Sequence, residues 1–345
     1  MGRGGLKAHA GLCCLCVRIR HAHPRKEFQP EILRVVFRRK KTELTLSALI
    51  QKLQGRILRR LAAPSPAVVY HYTTQAGLLG ILQTGTLWCG EVRYLNDARE
   101  FNVAYDLARQ SLSDLGRDAD SRDEREFLRR CARALLKFHD RFRCYVASFS
   151  EDGDMLSQWR AYAGVSGYAI GLRTAALRRS VRGLGDFGYW LPCMYDDARQ
   201  RRHVRALIGD FLTQYRGLRR GNEYSKAAVL NHLPHLFPGR LILLGCCMKD
   251  KGFSEEREWR LVVFDSLFEG FPRPSPLQFR PGTRNLIPYI KYPLSKKKES
   301  LPLKSIVVGP SPHIVASDRS LRLFLQEKGL AKSADTMSAV PFQNW

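Results

Sequence analysis

The chain of 345 residues is long enough for one large or two ordinary domains and for a sizeable core. With 44% apolar and 10% aromatic residues it is not a disordered polymer, and its longest apolar run, residues 241–248, falls far short of the ~18 residues a spanning helix needs. The formal charge of +25 is unevenly spread, because residues 1–60 alone hold 15 basic and 3 acidic side chains.

Residues 1–24 read as irregular. Their Cys13, Cys14 and Cys16 lack the paired spacing of a zinc site, and His9, His21 and His23 supply no counterpart, so no metal is expected. The apolar patch 10–17 runs straight into Arg18 and Arg20 without a small-residue cleavage site, which does not fit a secretory signal. Nine scattered cysteines are no disulfide scaffold, and a reducing cytoplasm is the expected compartment. Over 43–61, Leu44, Leu46, Leu49, Ile50, Leu53, Ile57 and Leu61 recur at three- and four-residue steps, which predicts an amphipathic helix that Pro64 and Pro66 stop. Residues 1–66 are therefore expected to be a basic, partly helical extension, 67–330 the main domain and 331–345 a tail.

The main domain opens on strand-like residues 68–72, followed by a helix over 75–82 that Thr73 or Thr74 can cap and Gly85 ends. Helical patterns follow over 97–142, broken by the polar stretch 113–123, and over 198–218 and 227–248. Further strands are expected over 144–150, 168–172, 189–195, 259–264, 286–292 and 304–308, with a last helix over 317–328. This irregular order predicts an α+β fold, a mixed or split β-sheet core with helical insertions, rather than a regular βαβ array.

Four blocks concentrate polar and aromatic residues beside strands: Tyr70-His71-Tyr72-Thr73; Arg93-Tyr94-Leu95-Asn96-Asp97 with Glu100; Ser148-Phe149-Ser150 with Gln158, Trp159, Arg160 and Tyr162; and Glu255-Glu256-Arg257-Glu258-Trp259-Arg260. Each residue has a structural explanation too: a core histidine, a capping box at Asn96 to Glu100, a core tryptophan, a solvated acidic loop. Taken together and in this order, with Gly167, Gly171 and the late Ile306-Val307-Val308-Gly309-Pro310, the blocks resemble a mostly bacterial family known as domain of unknown function 2971, over about residues 68–330. That family carries no activity.

A looser resemblance is to ADP-ribosyltransferases of the His-Tyr-Glu kind. It implies an ADP-ribosyltransferase-like fold with NAD as substrate: His71 and Thr73 on a ribose, Tyr94 stacked on nicotinamide, and Glu258 stabilising the oxocarbenium-like centre, with Glu256 two residues before it serving the acceptor. Arg260 flanks the carboxylate and would keep it ionised. Ser148 and Ser150 end a strand where a ligand edge can reach them, and Trp159 and Tyr162 complete the set of ligand-contacting candidates. The acceptor would be a nucleic acid or a protein. The competing reading is a nucleic-acid-binding module without catalysis, since basic and aromatic residues interleave at Tyr289-Ile290-Lys291-Tyr292 before Lys296, Lys297 and Lys298. No Gly-x-Ser-x-Gly elbow or phosphate-binding glycine loop is present, and no membrane association is expected. Convergence of His71, Tyr94 and Glu258 on one cleft separates the two readings.

Overall fold

The computed structural model describes residues 36–37, 44–95, 100–138, 143–164, 166–220, 225–265, 275–282, 285–295, 300–330 and 333–341. Cys13, Cys14, Cys16, Asn96, Asp97 and Lys296 to Lys298 lie outside them.

Two short strands, β1 (Val36–Phe37) and β2 (Leu44–Thr45), pair and lead into α1 (Leu46–Leu61). The apolar stripe Leu49, Leu53, Ile57 and Leu61 of α1 is fully buried in the main core, so this helix packs with the domain that was expected to begin after it. Next come β3 (Val68–Thr73), α2 (Gln75–Thr84) and β4 (Thr86–Glu91). Thr74 caps α2 by accepting from the Gly77 amide, and Gly85 closes it in the left-handed conformation that glycine adopts without a Cβ penalty. The helices α3 (Glu100–Arg117) and α4 (Arg122–Phe138) break at the predicted polar stretch.

Strand β5 (Cys144–Ser150), the short α5 (Leu156–Gln158) with a π-helical turn over Trp159–Ala163, β6 (Tyr168–Arg173), α6 (Thr174–Arg182) and β7 (Gly188–Pro192) follow. Then come α7 (Asp197–Arg220), α8 (Lys226–His232), α9 (Phe237–Gly245) and β8 (Glu258–Phe264). The chain ends through β9 (Gln278–Pro281), β10 (Leu286–Pro293), β11 (Leu303–Val308), α10 (Ile314–Glu327) and β12 (Ala334–Met337). β12 lies in the segment expected to be a tail; it pairs in parallel with β11, from Ser305 opposite Ala334 to Val308 opposite Met337.

The expected α+β architecture is borne out. Among the described residues ten strands, β3 to β12, form one mixed sheet. Alternation sends successive side chains to opposite faces. Cys144, Val146, Val262 and Phe264 join the core beneath α1, α3, α4, α7 and α9, while Tyr145, Ala147, Phe149, Leu261 and Val263 join the core beneath α2, α6 and α10.

The sheet is split at β5. One edge of β5 pairs with β8 along its whole length, from Cys144 opposite Phe264 to Ser150 opposite Glu258. Its other edge is shared. β3 meets it at Tyr70 opposite Ser150, whereas β4 meets it at Gly90 opposite Val146 and Glu91 opposite Tyr145. Between those bridges the two neighbours diverge, and a cleft opens over Ser148 and Phe149.

Candidate functional site

The split exposes backbone polar groups that need partners. The imidazole of His71, on β3, supplies one: its Nδ1 lies 3.0 Å from the Ser148 carbonyl oxygen. A carbonyl only accepts, so Nδ1 carries the proton and Nε2 is left as an acceptor. Burial lowers the His71 pKa more than this bond raises it, which keeps the ring neutral.

The cleft is lined by Tyr70, His71, Tyr72, Ser148, Phe149, Ser150, Gln158, Tyr162, Glu256 and Glu258, and encloses about 370 Å³ including its open mouth. Tyr70 is wedged between two glycines. A Cβ at Gly153 would come within 2.5 Å of its ring and one at Gly171 within 3.0 Å.

Opposite the histidine, Glu256 ends a 3-10 turn, Arg257 adopts the left-handed conformation (φ 42°, ψ 53°), and Glu258 begins β8. Arg257 is the sole non-glycine residue with positive φ among the described residues. Its turn brings both carboxylates to the cleft.

Both carboxylates are buried, and Lys249 holds them together. Its ammonium donates to Glu256 Oε2 and, at 2.7 Å, to Glu258 Oε2. Arg260, two residues along β8 and therefore on the same face, grips Glu258 in a fork, Nε to Oε1 at 2.7 Å and the second nitrogen to Oε2 at 3.0 Å. Its remaining nitrogen donates to the Cys246 carbonyl. Burial pushes the Glu258 carboxyl up, but the Arg260 and Lys249 charges outweigh it and hold the group down at about 2. Burial dominates at Glu256, whose carboxyl is raised despite the Lys249 bond. Among the described residues, Glu256 Oε1 accepts a long contact, 3.5 Å, from the Tyr162 hydroxyl. The site thus pairs a fully satisfied carboxylate that stays ionised down to strongly acidic pH with a second, buried one of weakened acidity.

Lys249 is not among the candidate residues that the sequence singles out. Its place is fixed from α7, where the buried Gln200 amide donates to the carbonyls of Met194 and Lys249. The local sequence signal is a cation directly after the apolar run 241–248, with Lys251 two residues on.

Not every predicted residue reaches the cleft. Tyr94 sits in a 3-10 turn after β4 (Val92–Tyr94), exposed, beyond the end of β5 that carries Tyr145. At ~3.3 Å per residue, Ser148 to Ser150 lie about 10 to 17 Å farther along β5. The structure therefore does not bring Tyr94 together with His71 and Glu258. Thr73 faces α2, where a Cβ at Gly77 would fall 1.9 Å from its hydroxyl. Trp159 is buried against Tyr72 and donates to Asp154, and Arg260 lies behind Glu258. The acidic turn is spent on structure: Glu151 accepts from Trp259, Asp152 pairs with Arg257 and Asp154 accepts from Trp159 and Ala339. Among the described residues no three His, Cys, Asp or Glu side chains are grouped as metal ligands, and no helix is long and apolar enough to cross a membrane.

The comparisons with known proteins agree with the first resemblance. Residues 158–261, from the α5 turn to β8, match the model of a family described as Protein of unknown function (DUF2971). The match includes Tyr162, Lys249, Glu256, Glu258 and Arg260, while His71, Tyr94, Ser148 and Ser150 lie outside it. No curated protein and no solved structure matches the chain.

Proposed function

We propose that the cleft cleaves the nicotinamide–ribose bond of NAD, as an ADP-ribosyltransferase-like or NAD-hydrolysing site. The observation that carries this reading is the convergence at one split in the sheet of a neutral histidine acceptor, two strand-end serines and a buried carboxylate pair of unequal acidity.

In this reading His71 Nε2 accepts from a ribose hydroxyl, and the Ser148 and Ser150 hydroxyls bind polar edges of the same half. Departure of nicotinamide breaks the C1′–N bond; the electron pair goes to the ring nitrogen and quenches its positive charge, leaving positive charge on the sugar. A carboxylate beside C1′ stabilises that charge. The oxygens of Glu258 are fully engaged by Lys249 and Arg260, so we assign the sugar-facing role, first given to Glu258, to Glu256. Water or an acceptor hydroxyl then forms the new bond to C1′, and Glu256 takes its proton. Glu258 acts through Lys249 as a positioning residue. Tyr94 lies outside the cleft, so the three-residue convergence expected of this reading is met in part, by His71 and Glu258; Tyr70, Tyr72 and Tyr162 line the cleft in its place.

The test is nicotinamide release from NAD by the wild-type protein beside Glu256→Gln and Tyr94→Phe. Release that Glu256→Gln lowers by about 100-fold or more, with Tyr94→Phe unchanged, is expected. Equal release from wild type and Glu256→Gln would remove the assignment.

A further inference from the structure

Beyond the cleft, the sheet carries an aromatic platform that nothing so far uses. Trp88 on β4 is half exposed and stacks on the buried Tyr289 of β10, ring centroids 4.4 Å apart. Tyr289 stands opposite Gly90, where an added Cβ would meet nothing within 4 Å, so the sheet surface next to the stacked pair is open. Lys291 is the cross-strand partner of Trp88. Gln278 is paired with Tyr289, and Arg280, two residues along β9, shares its face. Among the described residues neither Lys291 nor Arg280 makes an ion pair.

We infer that Trp88, with Lys291 across from it and Arg280 farther along the same face of the sheet, binds single-stranded polynucleotide, one unpaired base stacking on the indole and phosphates along the strand meeting the two cations. A half-exposed tryptophan already stacked on one side offers a flat face at little ordering cost, and unspent cations on the same face of the sheet select an anionic, planar ligand over a neutral one. The charge of +25 acts in the same direction at longer range. This inference stands on the platform alone and does not require the NAD reading.

The test is binding of labelled 12-mer oligouridylate and oligothymidylate, by fluorescence anisotropy over a salt series, to the full chain and to Trp88→Ala, Trp88→Phe and the double variant Lys291→Gln/Arg280→Gln. Trp88→Ala is expected to weaken binding roughly 5- to 100-fold, with Trp88→Phe in between. The double variant is expected to lower the slope of log K against log salt by about 1.4, two phosphates at ~0.7 each. The double variant leaves the indole in place, so it remains informative if Trp88→Ala fails to fold. Preference for either oligomer supports the proposal and says whether the ligand is RNA or DNA. Unchanged affinity in both Trp88→Ala and the double variant, equal binding of duplex, or no binding by the wild type would overturn it.

Discussion

At the scale of single residues, the centre of the site is a set of charges that cannot be removed one at a time. Glu258, Arg260 and Lys249 are all buried, and deleting one partner leaves another without compensation, a change that typically costs 3–5 kcal/mol. Glu258→Gln is therefore expected to destabilise the protein by about 3 kcal/mol or more in urea unfolding. Glu256→Gln removes one bond from Lys249, which keeps Glu258, and is expected to cost about half as much or less. Equal losses for the two variants would contradict the division of labour between them. His71→Ala should leave the Ser148 carbonyl without its partner, at about 1 to 3 kcal/mol. The sequence displayed most of these residues as dense polar blocks, but the partition of roles was not legible there. It depends on Lys249 and on Gln200, which come from another helix and an unremarkable loop.

At the scale of elements, Arg257 is the most informative position. A non-glycine residue in the left-handed region is strained, and here the strain lies between the two carboxylates. Arg257→Val adds a β-branched side chain to that conformation and is expected to destabilise by about 1–2 kcal/mol. Arg257→Gly relieves the backbone and loses only the exposed pair with Asp152, so it should be neutral or slightly stabilising in thermal unfolding. A large loss from the glycine variant would show that the arginine side chain, and not the turn, holds the site. Secondary structure was largely readable: α2 with its Thr74 and Gly85 caps, the break between α3 and α4, and strands β5, β6 and β8 follow the local pattern closely. β4, β9 and β12 were not. They are four to six residues long and take their identity from the neighbours they pair with.

At the scale of the whole molecule, the buried carboxylates set how stability depends on pH. The folded-state pKa of Glu258, about 2, is below its ordinary value of 4.5, so its contribution is fully present above about pH 4.5 and is lost as pH falls toward 2. The difference corresponds to about 3 kcal/mol. Glu256 is shifted the other way and contributes less once pH rises above 4.5. Urea midpoints of the wild type are therefore expected to drop between pH 4.5 and 2, with a shallower acid limb in Glu258→Gln. The long-range assembly was beyond local sequence pattern. Tyr94 falls within a block that resembles part of the cleft, yet β4 joins β5 at the wrong end to deliver it, a fact fixed by strand register.

The central claim is that this cleft breaks NAD, and proton NMR of NAD incubated with the full-length protein tests it most directly. The account predicts that the anomeric proton signal of the nicotinamide ribose declines while free nicotinamide grows in equal amount, and that Glu256→Gln stops both. Signals of NAD that neither broaden nor decline at high protein concentration, with and without oligonucleotide, would contradict it.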